Sequence, residues 1–470
     1  MVSPRVSAPR LVSMLGTATP GTASYAWLTD AIRLLITDGR LLHETRLPSE
    51  RDLVGALGLS RTTVSRAYAE LRDRGYVTAQ HGSGTRVQVP GGPVPGGAEP
   101  MLLDDVTEPG EDVIDLRSAA PSGRPGLAAA YEAAVPRLGA YTSGMGYFPL
   151  GVPELREAVA DRFAARGVPT SPGQIIITTG SLAALAAVER AVLRRGDRVV
   201  LESPTYPGGL ASLQHTGARL VPVPAVSGST DVEAIADRVG VLSPRAMLLL
   251  PDFHNPTGTL MPDAVRARVA HIWKSRGVVG IVDETVTEIW LEDRPDVRPM
   301  AAHAPTAVTV GGVSKSHWGG LRIGWIRAPH DLVGAIGRAR ATLDLGAPVL
   351  EQLVVADLLR QRPTLDDETR LALRARRDQV IHDVRAALPG WEVTPPSGGL
   401  SLWWRLPLAR SSALAAGAER SGVLLAPGSA FAVEGHGLEQ WIRTPFALDA
   451  SALERAVPLI AQVWEQVGGR

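Results

Sequence analysis

"VGGVSKSHWGGLRIGWIRAP", residues 310–329, reads as strand, turn and strand. The run "AVTVGGVSK" closes on a serine–lysine turn, and "RIGWIRAP" stops at a proline. Apolar runs this short, bounded by Gly, Ser and Pro, suit buried strands better than helices. Between them stand Lys315, a Gly-Gly pair and Arg322. Lys315 is one of only two lysines in 470 residues, the other being Lys274; every other basic chain is arginine. A solvated or ion-paired position accepts arginine readily. A position that must offer a primary amine to an aldehyde does not, because guanidinium stays protonated. Lys315 is therefore read as a chemical lysine, and Lys274, inside "VRARVAHIWKSRG", as a solvated one.

Outward from this stretch the pattern alternates. "QIIITTG" (174–180) is a strand followed by the helical "SLAALAAVERAVLRRG", and "RVVLESP", "AMLLLPDF" and "VVGIVDE" repeat the form. Such alternation predicts an α/β fold with a mainly parallel sheet, whose ligands gather at the carboxyl ends of strands. The candidate residues fall there. Gly180 and Ser181 open a helix whose free N–H groups suit an anion. Asp283 ends a strand and suits a pyridinium nitrogen; Asn255, in "PDFHNPTG", suits a ring hydroxyl. A Schiff-base lysine beside an arginine fit for phosphate is what pyridoxal 5'-phosphate requires. Taken singly, each has an ordinary reading: Lys315 as a surface lysine, Asp283 as a helix cap or ion-pair member, and Gly180-Ser181 as a strand–helix turn. Their common order at strand ends favours the cofactor.

A Pro/Gly-rich and then acidic linker, residues 91–113, separates a segment at 22–90 from the long remainder at 114–470. In the front segment Leu28, Ile32, Leu35 and Ile36 share one helical face. Ser49 caps a second helix that Gly58 ends, and Ser60 caps a third, "RTTVSRAYAELRDRGY". "YVTAQHGSGTRVQV" reads as two strands around a glycine-rich tip. Three helices and a hairpin make a winged helix-turn-helix. Arg61, Thr62, Thr63 and Arg66 then lie at the start of the recognition helix, with Arg46, Arg51, Ser60, His81 and Arg86 as backbone contacts. The segment holds nine arginines against seven acidic residues, and the whole chain balances 48 basic against 48 acidic. Any nucleic-acid partner is thus met by a local surface. With no cysteine there are no disulfides or thiolate metal sites, and no metal site is read from the sequence. No run suits a signal peptide or a bilayer span, so a cytoplasmic protein without membrane contact is expected.

"GRLLHETRLPSERDLVGALGLSRTTVSRAYAELRDRGYVTAQHGSGTRV" closely resembles the GntR-type winged-helix domain. Residues 114–470 resemble fold-type I aminotransferases, with a large mainly parallel domain and a smaller α+β domain. Together they resemble the MocR subfamily of bacterial regulators. That resemblance implies Lys315 as the Schiff-base residue, Asp283 and Asn255 on the cofactor ring, and Arg322, Ser181, Gly180 and Ser314 around its phosphate. It implies Tyr206, in "ESPTYPG", as the aromatic beside the ring. Tyr147, in "YFPLGVPELREAVA", would reach the phosphate of a neighbouring subunit in a homodimer. Arg443 and Gly399 would line the substrate side. The chain departs from the family pattern at Gly312 and Leu182, where polar side chains are usual, and at Thr285, where a tyrosine is usual; looser cofactor binding is the expectation. The implied function is a regulator of double-stranded operator DNA that senses an amino acid or related amine through aldimine exchange at Lys315. A genuine aminotransferase with an appended DNA-binding domain is the alternative reading, and a cofactor-free dimerisation scaffold a second.

Overall fold

A computed structural model describes residues 5–16, 24–37, 40–41, 43–80, 84–88, 90, 113–226, 229–361, 364–448 and 450–468. They fall into two compact units, one formed by residues 1–96 and 123–136, the other by 97–122 and 137–470.

The first unit is built from α1 (Ala8–Leu15), α2 (Ser24–Thr37), α3 (Glu50–Leu57), α4 (Arg61–Asp73) and the hairpin β1 (Val77–Gln80) and β2 (Gly84–Val87), with α5 (Leu127–Ala134) added from beyond the linker. Leu28, Ile32, Leu35 and Ile36 are buried, as their spacing predicts, against Leu53, Val64, Tyr68 and Leu71. Ser49 Oγ accepts from Asp52 N–H at 3.2 Å, and Gly58 turns left-handed at φ 67° to end α3. Three residues later α4 begins under its Ser60 cap. The antiparallel hairpin sets Val77 opposite Val87. This unit reaches beyond the 22–90 span at both ends. Helix α1 buries Leu11 and Leu15 in the same core, and on α5 Glu132 pairs with Arg33 of α2 at 2.8 Å. Replacing the cap, Ser49→Ala, should destabilise the α3–α4 pair by about 1 kcal/mol. Amide hydrogen exchange in α3 would read this as roughly fivefold faster opening.

The second unit centres on an eight-stranded sheet: β4 (Ile175–Thr178), β5 (Arg198–Ser203), β6 (Arg219–Val226), β7 (Ser229–Thr230), β8 (Ala246–Leu249), β9 (Val279–Asp283), β10 (Val308–Gly312) and β11 (Gly324–Arg327), after a short β3 (Ile114–Asp115). The spatial order is β4-β11-β10-β9-β8-β5-β6-β7. From β10 across to β6 every pairing is parallel, while β11 runs antiparallel to both β10 and β4. Both faces are covered, which explains the unbroken apolar runs. On β8, Ala246 and Leu248 pack to one side with α7 (Ser181–Val192) and α8 (Pro207–His215), the helices that follow α6 (Pro153–Ala165). Met247 and Leu249 pack to the other with α9 (Val232–Leu242) and α10 (Asp263–Arg276). The same period of two that makes a strand thus builds two cores.

Helices α11 (Met300–His303), α12 (His330–Ala341), α13 (Val349–Arg360) and α14 (Asp367–Ala387) lead to a smaller antiparallel sheet. Its strands are β12 (Ser401–Arg405), β14 (Ala426–Pro427) and β15 (Trp441–Pro445), in the order β12-β15-β14. With α14, α15 (Ser411–Glu419) and α16 (Ala450–Gln466) it encloses a core around Trp391, Trp404 and Trp464. Between them β13 (Val423–Leu424) pairs in parallel with β3. No helix among the described residues is long and apolar enough to cross a membrane.

Candidate functional site

Adjacent parallel strands bring the first two candidates together. Asp283, the last residue of β9, pairs in register with Val310 of β10, and Lys315 follows in the turn after β10. Thr285 fixes the carboxylate: its N–H donates to Asp283 Oδ1 at 2.8 Å and its hydroxyl donates to the same oxygen. Burial pushes the Asp283 carboxyl above the usual range, against the pull of those hydrogen bonds and of the nearby Lys315 charge. A carboxylate so placed favours a cationic partner. Thr285, a departure from the family pattern, therefore serves here as the orienting group for Asp283.

The second cluster joins β4, α7 and the turn before β11. Gly180 adopts φ 111°, and a Cβ there would lie 2.4 Å from Arg322 Nη2. Arg322 itself sits left-handed at φ 47° and donates to the Thr179 carbonyl at 3.0 Å. A guanidinium thus closes on the start of α7, whose first turn has no side-chain cap. Cationic side chain and uncapped N–H groups together suit a phosphate. Ser181 opens that turn and Ser314 precedes Lys315; both are half-buried. The missing hydroxyl at Gly312 also has a cause: a Cβ there would meet the Ile323 carbonyl at 3.1 Å, tighter than side chains ordinarily tolerate. Gly180→Ala should weaken pyridoxal phosphate binding at least about tenfold, since the methyl displaces Arg322 in a backbone region costly for alanine. Titration followed by cofactor absorbance measures it, and unchanged affinity would remove this cradle from the site.

A third cluster links the two parts of this unit. Asn255 Oδ1 accepts from Arg443 Nη1 at 3.1 Å, although the residues stand 188 apart in sequence. Arg443, only 1 % exposed, also donates to the Arg117 carbonyl and lies 4.9 Å from the Phe431 ring. Gly399 backs onto Phe253 in the Asn255 turn. Tyr206 stands at the head of α8 with its ring folded over Gly208. Tyr147 is not among the residues gathered here; it lies 61 % exposed ahead of α6. Lys274 is exposed in the last turn of α10.

Sequence reading missed the polar layer around these groups. His254, beside Asn255, is buried with Nδ1 3.0 Å from Thr257 Oγ1 and Nε2 3.6 Å from Glu202 Oε2. Burial lowers His254 to about 4 and raises Glu202 to about 7, driving both toward neutrality. Glu284 pairs with Arg166 and Asp252 with Arg266, each at 2.6 Å. Nothing local marked the two arginines, which sit on or at the end of helices that read as ordinary amphipathic ones. The charge on Asp252 is felt at Asp283.

In the first unit, Ser60 Oγ accepts from Thr63 N–H at 3.1 Å and lies 2.8 Å from Thr63 Oγ1, so both hydroxyls serve the cap. Arg61 and Thr62 are exposed on the first turn of α4. Arg51 and Arg61 have no ion pair among the described residues. Arg66 is engaged: its guanidinium lies 3.7 Å from the Tyr25 ring centre and donates to the Tyr25 hydroxyl at 3.1 Å. Arg86 is tied to Glu44, 3.6 Å from its carboxylate. The Arg46 guanidinium packs over Gly84 of the wing. His81 lies outside the described residues.

Comparison with known proteins matches residues 111–460 to the aminotransferase class I and II family and residues 25–87 to the gntR family of bacterial regulatory proteins. The chain is 27 % identical over 385 residues to the uncharacterized HTH-type transcriptional regulator YisV of Bacillus subtilis, covering 76 % of this chain and 79 % of that one. It is 30 % identical over 353 residues to the probable rhizopine catabolism regulatory protein MocR of Rhizobium meliloti, covering 71 % of each. Among solved structures it resembles LysN, the alpha-aminoadipate aminotransferase of Thermus thermophilus, crystallised with N-(5'-phosphopyridoxyl)-L-leucine. There the TM-score is 0.68 at 27 % identity, over 76 % of this chain and 93 % of that one.

Proposed function

The chain belongs to the aminotransferase class I and II family, with a gntR-family head in the MocR-type arrangement, and from that premise we propose that it is a DNA-binding regulator that holds pyridoxal 5'-phosphate and reads a small amino acid or related amine. The observation that carries this reading is the approach of Lys315 to Asp283 at neighbouring strand ends. The chain otherwise writes almost only arginine.

When bound, the cofactor supplies an aldehyde that condenses reversibly with amines and a ring that withdraws electrons. The protein's part is to hold and to discriminate. Arg322 and the first turn of α7, with Ser181 and Ser314, take the phosphate. Asp283, oriented by Thr285, would favour a protonated ring nitrogen, and Asn255 would take the ring hydroxyl. Lys315 would offer the primary amine that holds the aldehyde. Arg443 binds an effector carboxylate, which favours an amino acid over a simple amine, and releases Asn255 as it does so. Tyr206 covers the ring, Gly399 leaves room for the effector, and Tyr147 serves the site of a second copy in a homodimer. In the head, Arg61, Thr62 and Thr63 face bases of double-stranded operator DNA, while Arg46 and Arg51 meet phosphates. The segment at 91–113 links head and sensor.

The test is a titration of the full-length chain, loaded with pyridoxal phosphate and bound to an operator fragment, with a panel of amino acids. One of them should shift both the cofactor band and DNA affinity, and the shifted band should persist. Bleaching that a keto acid reverses, with DNA affinity unmoved, would support a working aminotransferase instead.

A further inference from the structure

Helices α7 and α8 leave between them an open groove of about 480 Å3. Ala186 of α7, Leu193 just past its end and Ala211 of α8 give it apolar walls, and none of Lys315, Asp283, Asn255 or Arg322 lines it. Set into this wall is Glu189, only 2 % exposed. One of its oxygens, Oε2, accepts from the Ser212 hydroxyl at 2.5 Å. The other, Oε1, has no donor among the described residues. A buried carboxyl with an unmet acceptor is unfavourable, and native proteins tolerate it chiefly where something else completes the site.

We propose that this groove is a noncovalent site for a small alkylammonium, which lays a short apolar chain along Ala186, Leu193 and Ala211 and donates to Glu189 Oε1 once a turn of that side chain brings the oxygen out of the wall in which it is buried. The site takes nothing from Lys315 and needs no covalent chemistry, although its lining includes Leu182, next to Ser181, and Gly208, under the Tyr206 ring. Two other charged or titratable groups line the groove. Arg190 is engaged with Thr342 Oγ1 at 2.9 Å, and His215 is bonded through Nδ1 to the Ala211 carbonyl at 2.8 Å. Neither supplies Glu189 with a countercharge. Burial raises the Glu189 carboxyl to about 8, so at pH 7 the empty groove holds mostly the acid. An ammonium ion favours the carboxylate, and its binding must therefore expel a proton. The effect fades above pH 8, where the carboxyl is already ionised, while an alkylammonium keeps its own proton to about pH 10.

The probe is N,N-dimethylbutylamine, a tertiary amine that donates one hydrogen bond when protonated and cannot form a Schiff base with an aldehyde. Calorimetry on the full-length chain with pyridoxal phosphate present, at pH 7 in buffers of different ionisation heat, should show saturable binding of one probe per chain. Close to one proton should be released, falling toward none by pH 9. Glu189→Gln, which keeps the shape and the Ser212 contact, should bind at least about tenfold more weakly. Ala211→Leu, which fills the groove without touching the carboxyl, should do the same, and neither should alter the cofactor band. If Glu189→Gln does not fold, Ala211→Leu carries the comparison alone. No saturable binding, wild-type affinity retained in either variant, or binding without proton release would overturn the site.

Discussion

Lys315→Ala should abolish the visible band that pyridoxal phosphate acquires on the wild-type chain. Lys315→Arg should abolish it equally, because guanidinium stays protonated and offers no lone pair to the aldehyde. Noncovalent contacts remain in both: Arg322 closed on α7, and Asp283 held by Thr285. Residual cofactor should therefore still bind, with an affinity lower by at least about tenfold, or 1.4 kcal/mol. Lys274→Ala, at an exposed position, should change nothing. Operator affinity without effector should survive in Lys315→Ala, whereas the response to an amino acid should not. A band retained in the alanine variant would place the reactive amine elsewhere and remove the central premise.

Arg61→Ala should lower operator affinity by about fivefold to 150-fold, the range of a bidentate guanine contact worth roughly 1–3 kcal/mol. The cofactor spectrum should stay intact. Arg61 is the cation on the first turn of α4 with no ion pair among the described residues, and the helix dipole adds to its attraction for DNA. Arg66→Ala should cost less on DNA, because that guanidinium already lies 3.7 Å from the Tyr25 ring centre. Its loss would instead loosen α2 from α4. Electrophoretic mobility shifts at two salt concentrations separate the cases: a base contact changes sequence preference, and a phosphate contact mainly reduces the salt slope. Equal operator affinity for wild type and Arg61→Ala would take α4 out of the recognition surface.

Much of this was legible because short-range signals and long-range packing agree. Ser49, Gly58 and Ser60 punctuate α3 and α4 in the sequence as they do in the structure. The runs that became β4, β5, β8, β9, β10 and β11 are apolar because helices cover both faces of the sheet. Strand β6 escaped notice for a physical reason. Pro222 and Pro224 argue against a central strand, yet β6 lies toward the sheet edge, where only the two-residue β7 pairs beyond it. The site was legible where residues announce chemistry, as Lys315 and Asp283 do. The contact between Asn255 and Arg443 depends on how β15 meets the turn after β8, which no local pattern records. Thr285 looked like a loss beside the family pattern. Only its geometry reveals two donors on Asp283.

Helix α5 changes what counts as the DNA-binding module. The chain leaves the head at the linker, contributes β3 to the second unit, and returns with α5, whose Glu132 meets Arg33. The head is thus discontinuous in sequence, closed by a helix that genetic dissection at the linker would discard. Exchanging heads between such proteins by cutting near residue 90 would graft four helices and a hairpin onto a foreign fifth helix. A faithful exchange has to carry residues 123–136 across as well, and the joint that looks simplest in the sequence is the wrong place to cut.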